Sequence, residues 1–127
     1  MSPKSVADKL LIKPNATVWS SDPSRLALIE PLPQGARTVE GLADATIALL
    51  FAENAGSLRN ALDTNKDALG RPDALWVAYP KGNRADINRD TLWPIVAEYG
   101  MRPVTQVAVD DVWSVLRFRP LKPGEAV

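Results

Sequence analysis

The chain has no cysteine and no histidine among its 127 residues. That removes the thiolate nucleophile, the imidazole base and the Ser-His-Asp triad. It also removes zinc-finger and iron–sulfur ligation, leaving only metals bound through oxygen. No cofactor is expected. Charge of one sign is equally absent: 15 Lys and Arg balance 15 Asp and Glu, for a formal net charge of zero. This argues against nucleic acid or an anionic membrane as the main partner. Long apolar runs are missing too. The longest, around residues 45–52, falls far short of the ~20 residues a membrane helix needs. The opening residues 1–14 hold no apolar core of signal-peptide length, so the expected location is the cytoplasm. Phosphate-binding glycine motifs are lacking as well. Ser20, Ser21, Asp22 and Pro23 stand where a G-x-G-x-x-G turn would follow the first strand, and no G-x-x-x-x-G-K-[ST] occurs.

The length fits one domain able to bury a core without a disulfide or metal. Residues 1–120 read as a single α/β domain and residues 121–127 as an extended tail stopped by proline and glycine. A short helix is expected over residues 5–12, ended by Pro14. Residues 17–20 are a β-branched and aromatic run, read as a strand. A turn follows at 21–24, then one or two helical turns over 25–32, and a short strand over 37–40. Residues 45–52 are apolar throughout, the pattern of a strand covered on both faces in a parallel sheet. Leu58, Leu62 and Leu69 fall at near-helical spacing within a helix predicted over 54–69, with Gly70 as its C-cap. Residues 74–79 form a second fully apolar strand. A helix over 92–99 ends at Gly100. Its Pro94 implies a start at Asp90 or Thr91, because proline is tolerated in the first turn. Residues 104–109 and 112–118 close the chain as a hairpin. The pattern predicts an α/β fold: a small Rossmann-like three-layer sandwich, mostly parallel, with a C-terminal antiparallel hairpin.

Ligands of open α/β sheets bind outside the carboxyl ends of the strands, where the strand order reverses. That rule gathers residues 20–22, 53–54, 81–84 and 110–111 at one rim. The loop over 80–90 is the most informative. Lys81, Gly82, Asn83 and Arg84 lead into a helix N-terminus, whose free N–H groups and dipole favour an anion. The alternative is a solvated loop in which Arg84 and Arg89 pair with Asp86 and Asp90. Asp110 and Asp111 can hold a ribose hydroxyl or an oxygen-bound cation, or can simply be turn residues. An arginine such as Arg117 is the expected counter-charge. Asp22 and Asp110 complete the ligand-binding set; no catalytic residue is assigned.

Four tryptophans occur in a chain with only 6% aromatic residues. Trp19 and Trp76 lie in predicted strands and are assigned to the core. Trp93 and Trp113 are expected to be partly exposed, and so mark a candidate interface. Arg117 and Arg119 share one face of the last strand. They form either a small basic stripe with Lys122 or the charged guard of an edge strand.

Residues 75–81 (L-W-V-A-Y-P-K), residues 109–118 (V-D-D-V-W-S-V-L-R-F) and the segment K-L-L-I-K-P at 9–14 together resemble a family of small bacterial proteins known as a domain of unknown function. The resemblance implies a bacterial, cytoplasmic, Rossmann-like protein and no activity. The layout also resembles a trimmed S-adenosylmethionine-dependent methyltransferase core, which ends in a similar strand hairpin; the glycine-free residues 20–23 depart from it. Two functions follow as expectations. The first is a non-catalytic module that binds a protein partner or an anionic small molecule at the carboxyl rim and is able to form a homodimer. The second is a reduced methyltransferase-like or nucleotide-handling enzyme domain.

Overall fold

The computed structural model describes residues 10, 12–22, 32–69, 72, 74–80, 89–109, 112–120 and 124. Six strands and two α-helices make up the regular structure among these residues: β1 (Thr17–Ser20), β2 (Arg37–Thr38), β3 (Ile47–Phe51), α1 (Ala55–Asn65), β4 (Ala74–Pro80), α2 (Arg89–Ala97), β5 (Met101–Ala108) and β6 (Trp113–Pro120). They build one sheet in the order β2-β1-β3-β4-β6-β5. β1 is parallel to β2 and β3, and β3 to β4. β6 runs antiparallel to both β4 and β5. The fold is therefore α/β and Rossmann-like, mostly parallel, with an antiparallel C-terminal hairpin.

The two greasiest segments lie side by side in parallel register, Ile47 opposite Ala74 and Phe51 opposite Ala78. Alternation along each strand sends their side chains to two separate cores. Ala48, Leu50, Leu75, Val77 and Tyr79 pack with Leu58 and Leu62 of α1 and Leu92, Ile95 and Val96 of α2. Ile47, Leu49, Phe51, Ala74, Trp76 and Ala78 face the other way and pack with Leu10, Ile12, Trp113 and Val115. Trp76 is fully buried, and its indole Nε1–H donates to the Leu10 carbonyl at 3.1 Å. This bond satisfies the one polar atom of a side chain otherwise placed for packing. It also anchors the segment before β1 to the sheet.

The helix ends depart from the sequence reading. α1 stops at Asn65 and tightens into a 3₁₀ turn over Lys66–Ala68. Gly70, the expected cap, lies outside the described residues. α2 begins at Arg89, ahead of the expected Asp90 or Thr91 cap, so Pro94 sits inside the helix rather than in its first turn. An interior proline forfeits the bond to the carbonyl four residues back and costs about 3 kcal/mol. Burial of Leu92, Ile95 and Val96 on the opposite side offsets that cost, while Pro94 itself points to solvent. α2 stops at Ala97, short of the expected Tyr99, and the turn that follows closes at Gly100, at φ +79°, whose N–H donates to the Ala97 carbonyl at 3.0 Å.

Three further expectations are corrected. Trp113 is buried, 6% exposed, because β6 lies between β4 and β5 and aims it into the second core. Trp19, assigned to the core, is only half-buried against the first one. β6 is likewise no edge strand, so Arg117 and Arg119 do not guard an edge; β5 occupies it. The expected elements over 5–12 and 25–32 fall largely outside the described residues.

Candidate functional site

The chain passes from β1 outward to β2 and then returns to place β3 on the other side of β1. This reversal is the topological switch point, and the carboxyl ends of β1 and β3 flank it. At that rim Ser20 is 7% exposed and closes a local turn. Its Oγ donates to the Asp22 carbonyl at 2.9 Å and accepts the Asp22 N–H at 3.2 Å. The turn puts half-buried Asp22 beside the switch point. Ser21 continues the ladder, its N–H donating to the Leu49 carbonyl at 3.0 Å. The Ser21 Oγ then accepts the Phe51 N–H at 2.7 Å, joining the ends of the two strands through a side chain.

Beyond β3, Asn54 stands at the rim as expected and serves there as the N-cap of α1. Its side chain accepts the Ser57 N–H at 2.8 Å, and the Ser57 hydroxyl accepts the Asn54 N–H at 3.1 Å. This reciprocal capping box satisfies two of the free donors at the start of α1. Ser57 Oγ also accepts the Glu53 N–H at 3.1 Å. Ser57 was the readable signal: it stands three residues after an Asn that precedes an amphipathic run.

The far side of the rim is apolar below and polar above. Phe51 and Trp113 meet edge to face, ring centroids 5.3 Å apart and planes at 89°. Pro80, the last residue of β4, stands opposite Trp113. On the helix side the Gln106 amide donates to the Tyr79 hydroxyl at 2.8 Å and lies 3.4 Å from the Ser114 Oγ. No sequence pattern marked this polar trio, because register across three strands creates it.

Of the predicted ligand set, Asp22 is at the rim. Lys81, Gly82, Asn83, Arg84 and Asp110 lie outside the described residues, as do Asp86 and Asp111. The strands that carry them do end at this rim, β4 at Pro80 and the β5–β6 hairpin between Ala108 and Trp113. Arg117 is elsewhere. It stands opposite Trp76 in mid-strand, six residues beyond Asp111. At ~3.3 Å per strand residue that is roughly 20 Å from the turn it was expected to neutralise. Trp93 is half-buried and lines a groove of about 310 Å³ with Pro103, Val104, Thr105, Gln106 and Leu116, beside the edge strand. Among the described residues no group of three acidic side chains is placed to hold a metal ion, and no helix is long and apolar enough to cross a membrane.

No family model matches the chain, and no curated protein matches it. The resemblance to a small family of unknown function therefore reduces to a shared Rossmann-like α/β layout. Solved structures do match the fold. A putative tRNA (m1A22) methyltransferase from Streptococcus pneumoniae superimposes with TM-score 0.57 at 12% identity, over 91% of this chain and 67% of that one. The m1A22 tRNA methyltransferase of B. subtilis gives TM-score 0.53 at 14% identity, over 91% of this chain and 63% of that one. A TehB-like SAM-dependent methyltransferase from Corynebacterium glutamicum gives TM-score 0.54 at 13% identity, over 94% of this chain and 89% of that one. The chain thus spans about two thirds of the first two. At such identities the likeness is one of fold.

Proposed function

We propose that this chain is a reduced methyltransferase-like domain that holds a nucleoside-type ligand, of the S-adenosylmethionine kind, over the carboxyl rim between β1 and β3. The observation that carries this reading is the reversal of strand order beside Ser20–Asp22, in a fold shared with S-adenosylmethionine-dependent methyltransferases. Asp22 and Asp110 accept hydrogen bonds from ligand hydroxyl or ammonium groups. Lys81 and Arg84 meet its anionic portion, with Gly82 and Asn83 giving close backbone approach. A net charge of zero does not exclude an RNA substrate, since two of the neighbours of this fold are tRNA methyltransferases.

A thermal-shift series with S-adenosylmethionine, S-adenosylhomocysteine, ATP and inorganic phosphate tests the reading. A ligand at a hundredfold excess over its dissociation constant stabilises the fold by ~2.7 kcal/mol. S-adenosylhomocysteine is expected to raise the melting temperature by several degrees, and Asp22→Ala to abolish the rise. Lys81→Ala and Arg84→Ala are expected to weaken binding while leaving unliganded stability within about 0.5 kcal/mol. No shift with any nucleoside ligand overturns the proposal.

One observation favours a second reading, the non-catalytic module. The Ser21 side chain occupies the junction of β1 and β3, where a glycine turn would leave room for a cofactor. Under this reading adenosyl ligands leave the melting temperature unchanged. A dimer by light scattering, lost on Trp93→Ala, then supports self-association.

A further inference from the structure

The groove beside β5 is opened by an irregularity of the edge strand. β5 pairs with β6 through Pro103 opposite Phe118 and Thr105 opposite Arg117, which leaves Val104 as an extra residue with no cross-strand partner. A bulge of this kind re-aims the side chain it carries. Val104 is the most exposed large hydrophobic among the described residues, at 48%. Pro103 and Gln106 stand opposite Phe118 and Leu116, which are the β6 residues of the first core. Alternation along the strands therefore puts the groove on the face of the sheet that α2 covers. α2 supplies the opposite wall and packs against β5. Its Leu92, Ile95 and Val96 enter the same core as Leu116, and Trp93 stands half-buried at the margin of that core. Helix wall and sheet wall are thus fixed to one packed layer.

The chemistry of the lining selects its occupant. The groove measures about 310 Å³, and clefts for small organic molecules start at roughly 300 Å³, so it has room for one ring system. None of its lining residues is ionisable. An ion entering it would lose hydration without meeting a counter-charge, which favours an uncharged ligand. Trp93 offers an aromatic surface, on which a flat ring packs offset or edge-on. Its indole N–H meets no acceptor among the described residues, whereas that of Trp76 is spent on the Leu10 carbonyl. The Gln106 amide is already committed to the Tyr79 hydroxyl at 2.8 Å, so it shapes the floor and recognition does not draw on it. A strand from another chain fits poorly, since Pro103 has no N–H and the bulge interrupts the ladder.

From this bulge-opened cleft between α2 and the sheet edge, we propose a second ligand site, taking a small uncharged heteroaromatic molecule. Its ring lies between Trp93 and the Val104 side chain, and a ring nitrogen or carbonyl oxygen accepts the Trp93 N–H. The site is independent of the carboxyl rim between β1 and β3. β5 stands four strands from β1, roughly 19 Å at ~4.8 Å per strand.

The test is an NMR titration of the ¹⁵N-labelled full chain with quinoxaline, 2-naphthoate and cyclohexanol. Quinoxaline is flat, neutral and carries ring nitrogens that accept. Saturable shifts are expected with it at the Trp93 indole N–H and at the amides of Val104 and Gln106. 2-Naphthoate has the same ring size but a negative charge, and is expected to bind at least about tenfold more weakly. Cyclohexanol, neutral but not flat, is expected not to saturate. Trp93→Leu and Val104→Asp are each expected to weaken quinoxaline about tenfold. Val104 is exposed, so its variant keeps the test decisive if Trp93→Leu fails to fold. Asp22→Ala should leave this binding unchanged, which separates the site from the rim proposal. Four results overturn the inference: no saturable shift with quinoxaline, equal affinity for 2-naphthoate, undiminished binding in Val104→Asp, or a dimer by light scattering that excludes quinoxaline.

Discussion

Strands β4 and β5 lie two places apart in one sheet, yet they meet opposite surroundings. β4 is buried along all but its last residue, with side chains feeding both cores. β5 is largely exposed and forms the sheet edge, with Val104 48% exposed. β4 reads A-L-W-V-A-Y-P, and both its faces need apolar cover. β5 reads M-R-P-V-T-Q-V-A and carries the devices of an edge. Pro103 has no N–H to offer a neighbour, and the register slips between Pro103 and Thr105. A proline and a bulge both discourage pairing with another chain. Composition therefore marks a strand's depth in the sheet better than its order in the chain does.

Trp76→Ala attacks the buried side of this contrast and should have the largest effect. It empties the second core and removes the bond to Leu10, a loss of ~3–5 kcal/mol in denaturant unfolding. A loss below about 1 kcal/mol would contradict a central β4. Ser21→Ala is next, at ~1–3 kcal/mol, because it strips the acceptor from the Phe51 N–H at the end of β3. Val104→Thr on the edge should stay within about 0.5 kcal/mol. If it costs as much as Ser21→Ala, the edge is covered in solution, and light scattering would show the partner copy.

The smallest expected effect concerns pH. The Tyr99 hydroxyl donates to the Asp63 carboxylate, and this bond holds its pKa above the ordinary tyrosine value. The folded state thus favours the protonated phenol. Its contribution is complete below the unfolded-state pKa and is lost as pH rises through the higher folded value. Tyr99→Phe should therefore flatten the alkaline limb of the stability profile and leave acidic pH unaffected. A profile unchanged at high pH would show that the bond is not kept in solution. Arg59, which meets Glu98 at 2.6 Å, likewise ties α1 to the turn after α2 and moves in the same direction, its pKa raised by that hydrogen bond. Exposure of both side chains makes it a weaker lever.

Much of the layout was legible because hydrophobic patterning is local. The continuous apolar runs ending at Ala52 and Tyr79 announced two central parallel strands, and those strands are neighbours. The closing hairpin followed from two strand-like runs with almost no chain between them. Trp113 was misread because a residue beside a turn is exposed only if its strand is an edge, and chain order does not reveal that β6 inserts between β4 and β5. Pro94 was misread because local propensity favours a first-turn proline, whereas packing of Leu92, Ile95 and Val96 set where α2 begins.

The same division holds for the sites. The carboxyl rim was legible up to Asp22, since parallel strands put their ends together whatever the loops contain. The polar trio of Tyr79, Gln106 and Ser114 was not, because only the register of three paired strands brings it together. Sequence alone determined the two-sided burial of β3 and β4, the closing hairpin, and the absence of thiol and imidazole chemistry, since each depends only on residue type and near spacing. Tertiary structure decided which strand became the edge, which tryptophan was covered and which charges meet, because those depend on pairings that distant segments make only once the sheet has closed.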